Sequence, residues 1–278
     1  MNSVCFNGKI VRADHPIFTA ENRGYRYGDG LFETMKVLNG KILLESYHMD
    51  RLYSGLRLLK YELHSEFTPE EITEKILLLC HKNDCKALAR VRLSVSRGNG
   101  GLYNGDEKLQ WVVETWPLEQ AANRLNDNGF IIDVYPHARK GCDEFANLKS
   151  ANFLSYVMAA RFAKENKMND SLLLNQFRRI ADASIANVFI IKNDLIITPS
   201  LSEGGVSGVM RKYLMENLKN SNYQVQEGTV TVEDLEEASE VFLTNAIKGI
   251  RWVGQFRNRT YKNHTSSEIY HRYIETLF

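Results

Sequence analysis

The chain has 278 residues, 44% hydrophobic and 25% charged, an ordinary globular make-up with room for one large or two moderate domains. Lys+Arg 35 against Asp+Glu 34 leaves no basic field of the kind that holds nucleic acid, so small-molecule chemistry is expected. No apolar run approaches the roughly 20 residues of a membrane helix, and the opening MNSVCFNGKIV lacks a signal-peptide pattern. Cys5, Cys80, Cys85 and Cys142 lack zinc-ligand spacing, so the expectation is a cytoplasmic chain with free thiols, no metal and no membrane partner.

Asn7-Gly8 between two short apolar runs predicts an opening β-hairpin. The stretch Arg23-Gly24-Tyr25-Arg26-Tyr27-Gly28-Asp29-Gly30-Leu31-Phe32-Glu33-Thr34 then brings three glycines and three aromatics to the head of a strand over 31–38. Glycines allow close backbone approach, and the aromatics with Glu33 supply surface for a planar molecule; a tight turn with a core aromatic cluster explains the same residues. The glycine spacing matches no phosphate-loop motif. Asn39-Gly40 turns the chain into a strand over 41–44.

Ser46 is placed to cap a helix from Tyr47 to about Tyr61 with the stripe Met49, Leu52, Leu56 and Leu59. His48 and Arg51 share the edge of that stripe, with Gly55 one turn beyond. An arginine beside a small residue can reach inward to an anion, although arginines more often turn out to water. Thr68-Pro69-Glu70-Glu71 opens a structural helix through Leu79. The strand over 88–97 alternates strictly, with Arg90, Arg92, Ser94 and Ser96 on one face and Val91, Leu93 and Val95 on the other. Two arginines on one face are a solvated face by default and a carboxylate receptor otherwise.

After a strand over 110–114, the polar segment 117–129 is the expected interdomain linker, between an N-terminal α+β domain, 1–116, and a C-terminal α+β domain, 130–278. A strand over 130–135 follows, then a helix from near Ser150 whose apolar positions Phe153, Leu154, Val157, Met158, Ala160 and Phe162 are expected to bury one face. Lys149 stands just ahead of that helix. A desolvated lysine loses its proton readily and becomes an amine nucleophile able to form a Schiff base, whereas a solvated lysine before a helix is the commonplace alternative.

Strands are expected over 172–174, 188–191 and 195–197, a helix over 207–218, a strand over 223–226, a short acidic helix near Asp234 and a strand over 240–244. Helices and strands mix without strict alternation, so the fold class is α+β rather than a Rossmann sheet. Gly204-Gly205-Val206-Ser207-Gly208-Val209-Met210-Arg211 runs a glycine-rich turn into a helix N-terminus, a weak local signal for an anion site.

Taken in order, these pieces resemble the class-IV aminotransferase family, the fold-type-IV pyridoxal-phosphate enzymes. The likeness spans nearly the whole chain: the RGYRYGDGLFET stretch, His48 with Arg51, Arg97-Gly98, Lys149 with Asn152, Asp182 with Asn187-Val188-Phe189, Thr198-Pro199, Gly208-Val209-Met210-Arg211, and Glu240-Val241-Phe242-Leu243-Thr244. The resemblance implies a homodimer with pyridoxal 5'-phosphate held between two domains. It implies Lys149 as the Schiff-base lysine and proton shuttle, and Arg51, the Val209 and Met210 amides and the turn at Asn245 and Ala246 as holders of the phosphate. Val206 would pack against the pyridine ring. Asp182 stands where the family usually has a glutamate facing the pyridine nitrogen, a carboxylate that keeps the ring electron-accepting. Aspartate is shorter, so either the backbone lies closer or a water bridges.

The family divides among branched-chain aminotransferases, D-amino-acid aminotransferases and aminodeoxychorismate lyases. Leu102 and Asn104 stand where the D-amino-acid enzymes carry an arginine and a histidine, and Leu154 stands where branched-chain enzymes often have a tyrosine, although Arg92 matches an arginine of theirs. The lyases resemble this chain at Ser96-Arg97-Gly98-Asn99-Gly100-Gly101, at Thr244-Asn245-Ala246 and in the tail from Tyr261 to Tyr270. Their dicarboxylate substrate suits Arg90 and Arg92. The expectation is therefore an aminodeoxychorismate lyase with Phe32, Arg90 and Arg92 at the substrate. An aminotransferase of branched-chain or other amino acids using 2-oxoglutarate is the alternative, with a D-amino-acid enzyme or a non-catalytic homologue behind it.

Overall fold

Asn7 and Gly8 take φ of 46° and 78°, the left-handed pair that a two-residue hairpin requires, and fold β1 (Ser3–Phe6) onto β2 (Lys9–Arg12). The computed structural model describes residues 2–278 and separates two units. The first is the chain through Ala122 together with Lys149–Asn152, and the second is Asn123–Leu148 with Phe153–Phe278.

In the first unit, β3 (Gly30–Leu38), β4 (Lys41–Ile42), β5 (Leu88–Arg97) and β6 (Leu109–Pro117) complete an antiparallel sheet in the order β2-β1-β6-β5-β3-β4. Val91, Leu93 and Val95 of β5 are buried, while Arg90 is exposed and Arg92 half-buried, so the alternation predicted for this strand sorts its two faces. Helices α2 (Glu45–Leu58) and α3 (Pro69–Lys82) pack on the sheet, α2 burying Met49, Leu52 and Leu56. Thr68 Oγ1 accepts from the Glu71 amide at 3.2 Å and starts α3 at Pro69.

Three local expectations fail in this unit. Ser46 lies inside α2 rather than capping it: β4 ends after two residues, and Leu44, at φ 54°, turns the chain directly into the helix with no side-chain cap. Arg23–Tyr27 is a short helix, α1, capped by Asn22 and ended by Gly28 at φ 65°, where the sequence suggested a glycine-rich approach to the strand or, alternatively, a tight turn. Glu33 supplies no exposed surface, being 1% exposed.

The second unit comprises β7 (Phe130–Lys140), α4 (Leu154–Glu165), β8 (Asp170–Asn175), β9 (Ile180–Ala183), β10 (Asn187–Lys192), β11 (Leu195–Pro199) and α5 (Val209–Lys219). It continues with β12 (Gln224–Gly228), α6 (Val232–Glu237), β13 (Glu240–Asn245), β14 (Gly249–Phe256), β15 (Arg259–Thr260) and α7 (His264–Ile269). The strands form one mixed sheet, β12-β11-β10-β13-β14-β7-β8-β9, with β15 on β14. The sheet curls until β9, at one end, meets β10 and β11. Ile132, Leu172, Ile190, Val241 and Phe256 fill the core, and Phe189 stacks on Phe242 with ring centroids 4.9 Å apart.

Here the phase of α4 is the main correction. The helix starts at Leu154, not near Ser150, because the preceding backbone is already used elsewhere: Lys149 carbonyl accepts from the Phe32 amide at 2.9 Å and the Ala151 amide donates to Gly30 carbonyl at 2.8 Å, alongside β3. Its buried face is Tyr156, Ala159 and Ala163, whereas Leu154 and Val157 are 74% and 55% exposed. Alanines let the helix sit close on the sheet, where Ser171 Oγ bonds Ala159 carbonyl at 2.7 Å, and a count of large apolar residues cannot see that face. No helix among the described residues is long and apolar enough to cross a membrane.

Candidate active site

The first unit gathers its chemistry at the start of β3. Glu33 is fully enclosed and accepts from two side chains of α2: His48 Nδ1 at 2.6 Å and Arg51 Nε at 2.7 Å, with Arg51 Nη2 completing a fork. Burial pushes the Glu33 carboxyl up, but the Arg51 charge and the hydrogen bonds from His48 and Arg51 outweigh it and hold the group at about 2. Burial likewise lowers His48, against the pull of Glu33, so the imidazole is neutral near pH 7 and donates through Nδ1. Its Nε2 is enclosed with no hydrogen-bond partner among the described residues. The stripe-edge arginine thus turns inward, and Glu33 is the anion it meets.

One residue earlier, the Phe32 ring, 5% exposed, carries two cations. Lys149 Nζ lies 4.5 Å from its centroid and the Arg92 guanidinium carbon 3.9 Å from it. Register explains this: Phe32 faces Ser94 across the β3–β5 ladder, with Arg92 one step further on the same face of β5, while the Phe32 amide is bonded to Lys149 carbonyl. Arg92 Nε also bonds Ser94 Oγ at 3.0 Å. Arg90, two residues on, lies over Trp116 at 5.7 Å, so the arginine doublet divides between an aromatic beside the lysine and one away from it.

The second unit gathers its chemistry where β9, β10, α5 and β13 meet. Asn187, first residue of β10, pairs in register with Thr244 of β13, and its side-chain amide donates to Val206 carbonyl at 2.8 Å. A Cβ at Gly208 would fall 1.8 Å from Asn187 Oδ1, so only glycine lets the turn approach this closely. Gly208 precedes α5 and offers no side-chain cap, leaving the first-turn amides of Val209 and Met210 to be met by something else. Thr244 Oγ1, enclosed, has no hydrogen-bond partner among the described residues. Asn245 Oδ1 accepts from the Ile247 and Lys248 amides at 3.1 and 2.9 Å, shaping the turn that contains Ala246. Arg211, by contrast, is committed inside, to Pro199 carbonyl and Glu227.

Asp182 of β9, 2% exposed, accepts at Oδ2 from the Tyr156 hydroxyl at 2.7 Å and from the Val206 amide at 2.9 Å. Lys140 Nζ donates to the Tyr156 oxygen at 2.7 Å. Burial, and after it the Asp182 charge, push the Tyr156 hydroxyl well above its usual range, and burial lowers Lys140 against the pull of Asp182. Val206, held at both its amide and its carbonyl, packs with Tyr135, Tyr156 and Leu173. Tyr156 and Lys140 escaped the sequence reading: Tyr156 lies on the unrecognised face of α4, and Lys140 on the part of β7 beyond the expected strand end at 135.

Uncapped amides at an 11-residue helix, an enclosed hydroxyl awaiting a partner and a glycine pressed against Asn187 suit the phosphate of pyridoxal phosphate, and a buried carboxylate suits its ring nitrogen. Residues 30–256 match the amino-transferase class IV family. The chain is 28% identical to the aminodeoxychorismate lyase of Bacillus subtilis (strain 168), over 87% of this chain and 82% of that one. It is 27% identical to a D-alanine aminotransferase of Listeria monocytogenes, over 87% and 83%. Its fold resembles that of a hypothetical aminotransferase from Mycobacterium tuberculosis in a PLP-bound form, with TM-score 0.85 at 18% identity over 99% and 98% of the two chains. The match over most of its length and the two sets of chemical groups agree: this chain is a pyridoxal-phosphate-dependent enzyme of the amino-transferase class IV family.

Proposed function

We propose that the enzyme is an aminodeoxychorismate lyase, releasing pyruvate from 4-amino-4-deoxychorismate to give 4-aminobenzoate, a reaction that belongs to folate biosynthesis. The observation that carries this reading is the Phe32 ring with Lys149 Nζ and the Arg92 guanidinium both upon it: a proton-transferring amine and a carboxylate receptor share one aromatic wall. The likeness to the Bacillus lyase points the same way.

When bound, pyridoxal phosphate supplies an electron sink for the bond broken at the amino-bearing carbon of the substrate. In the first unit, Lys149 Nζ takes the proton from that carbon, Arg92 orients a substrate carboxylate, and Phe32 closes one side against water. Arg90 extends the same cationic face towards a second carboxylate. Loss of the proton and cleavage of the ether bond make the ring aromatic, and the three-carbon fragment leaves as an enolate that takes up a proton, balancing the one Lys149 removed, to become pyruvate. Arg51, forked on Glu33, is assigned to the cofactor phosphate. In the second unit, the Val209 and Met210 amides with the turn at Asn245 and Ala246 would hold a phosphate group, Val206 would pack against the ring and Asp182 would hold the proton on its nitrogen.

The likeness to the Listeria enzyme supports a second reading, transamination with 2-oxoglutarate. One screen separates them. Holoenzyme given aminodeoxychorismate is expected to release pyruvate; brisk glutamate formation from amino acids with 2-oxoglutarate, and no pyruvate, would reject the lyase. Lys149→Ala is expected to lose activity by at least about a thousandfold and to alter the cofactor's absorption band. We also place the enzyme in the cytoplasm as a homodimer. The exposed Leu154, Val157 and Phe145 support association with a second copy, and light scattering giving a monomer mass would count against it.

A further inference from the structure

A shorter acid in the family's glutamate position raises the question of how its carboxylate is kept in place. The Tyr156 hydroxyl has one proton. Lys140, an obligate donor while charged, occupies one acceptor position of the tyrosine oxygen at 2.7 Å, and that leaves the hydroxyl proton directed to Asp182 Oδ2 at 2.7 Å. The Val206 amide meets the same oxygen at 2.9 Å, so two donors pin one oxygen of the side chain. The tyrosine is itself immobile: it is 5% exposed, its ring stacks on Phe153 with centroids 4.3 Å apart, and Lys140 Nζ lies 4.6 Å from the ring centroid. Asp182 is fixed from behind by its register with Leu173 in the β8–β9 ladder. Burial weakens the charged form of Lys140, and the Tyr156 oxygen is a polar partner that it meets there.

We infer that Tyr156 and Lys140 are positioning residues for Asp182, the hydroxyl orienting the carboxylate towards the ring nitrogen and the ammonium orienting the hydroxyl. The inference rests on the reading of Asp182 as the partner of that nitrogen. The pair does for a short side chain what an extra methylene does for glutamate: it sets where the negative charge stands. Lys140 acts on the carboxylate through the tyrosine, at the cost of little direct contact, so its removal has the smaller effect.

The test titrates the apoprotein with pyridoxal phosphate and records Kd and the absorption band of the bound cofactor at one pH, for Tyr156→Phe, Lys140→Gln, Asp182→Asn and the double variant Tyr156→Phe with Asp182→Asn. Loss of a hydrogen bond to a buried carboxylate predicts a Kd raised about tenfold in Tyr156→Phe and about threefold in Lys140→Gln. Both are expected to move the band in the direction that Asp182→Asn moves it, and Tyr156→Phe is expected to add nothing once Asp182 is Asn. If Tyr156→Phe weakens binding equally in both backgrounds, or leaves the band where it was, the pair is a structural brace and the inference falls while the role of Asp182 stands. If Asp182→Asn itself leaves Kd and band unchanged, the reading of Asp182 fails and the inference with it. Should Tyr156→Phe melt early, Lys140→Gln in both Asp182 backgrounds decides by the same criterion.

Discussion

Glu33 in the first unit and Asp182 in the second are both enclosed carboxylates, and they are held in opposite ways. Glu33 meets a forked guanidinium and an imidazole, whereas Asp182 meets a phenol hydroxyl and an amide, with the Lys140 ammonium on the far side of that hydroxyl. A carboxylate neutralised at contact by a guanidinium has spent its charge inside the protein, and its task is to aim Arg51. A carboxylate held by neutral donors keeps its charge available to a cationic group such as a protonated ring nitrogen. The difference teaches what each acid can still do: the partners of Glu33 cancel its charge, whereas those of Asp182 orient it.

The largest effect should come from breaking the first arrangement. Glu33→Ala takes the carboxylate away from the nearly enclosed Arg51 guanidinium and is expected to cost about 3–5 kcal/mol of stability in urea unfolding, against about 1–2 for Asp182→Asn, which keeps a hydrogen-bonding side chain. Equal losses would erase the distinction between the two acids. The acid limb of the stability curve sharpens it further. Glu33 is held at about 2 in the folded chain against an ordinary 4.5, so its contribution is fully present above pH 4.5 and is lost as pH falls towards 2, by about 3 kcal/mol. His48, lowered by burial, adds a loss of the same sign below its ordinary 6.5. Urea midpoints measured across this range should fall for the native chain and much less for Glu33→Gln. Tyr156, raised, acts on the other side: its contribution is lost only in alkali, as pH climbs through its elevated value.

A smaller effect is expected at Gly208, where alanine would press its methyl against Asn187 Oδ1 and force the turn before α5 to move. Overpacking of this kind costs about 1–3 kcal/mol, and a raised Kd for pyridoxal phosphate alongside it would tie the turn to the phosphate. An unchanged Kd would assign the glycine to packing alone.

How much of this was legible in the chain depended on whether the signal was local. The hairpin at Asn7-Gly8, the strand 88–97 with its two faces and the Thr68 cap are written in neighbouring residues, and each formed as expected. The pairing of Lys149–Ala151 with β3 is not, because it is set by backbone groups more than a hundred residues apart, and it delayed α4 to Leu154. Likewise the face of α4 is chosen by β7 and β8, which prefer Ala159 and Ala163 to the larger Leu154 and Val157. Tyr156 was hidden by that inversion, so the partner of Asp182 could not be named from spacing.

The two arginines of β5 give the finest test, since sequence alternation makes them equivalents and the fold does not. Arg92 lies on Phe32 at 3.9 Å, with Lys149 on the same ring, while the exposed Arg90 lies over Trp116 at 5.7 Å. A guanidinium that is half-buried on an aromatic face has shed water and gains more from a carboxylate than one in solvent. Arg92→Ala is therefore expected to lower kcat/KM for a dicarboxylate substrate by about 30- to 100-fold, and Arg90→Ala by no more than about fivefold. Arg92→Lys should recover only part of the loss, because an ammonium cannot offer the paired donors of the fork. Equal effects at the two positions would mean that the face acts through net charge, and the aromatic wall shared with Lys149 would then set nothing about which carboxylate is chosen.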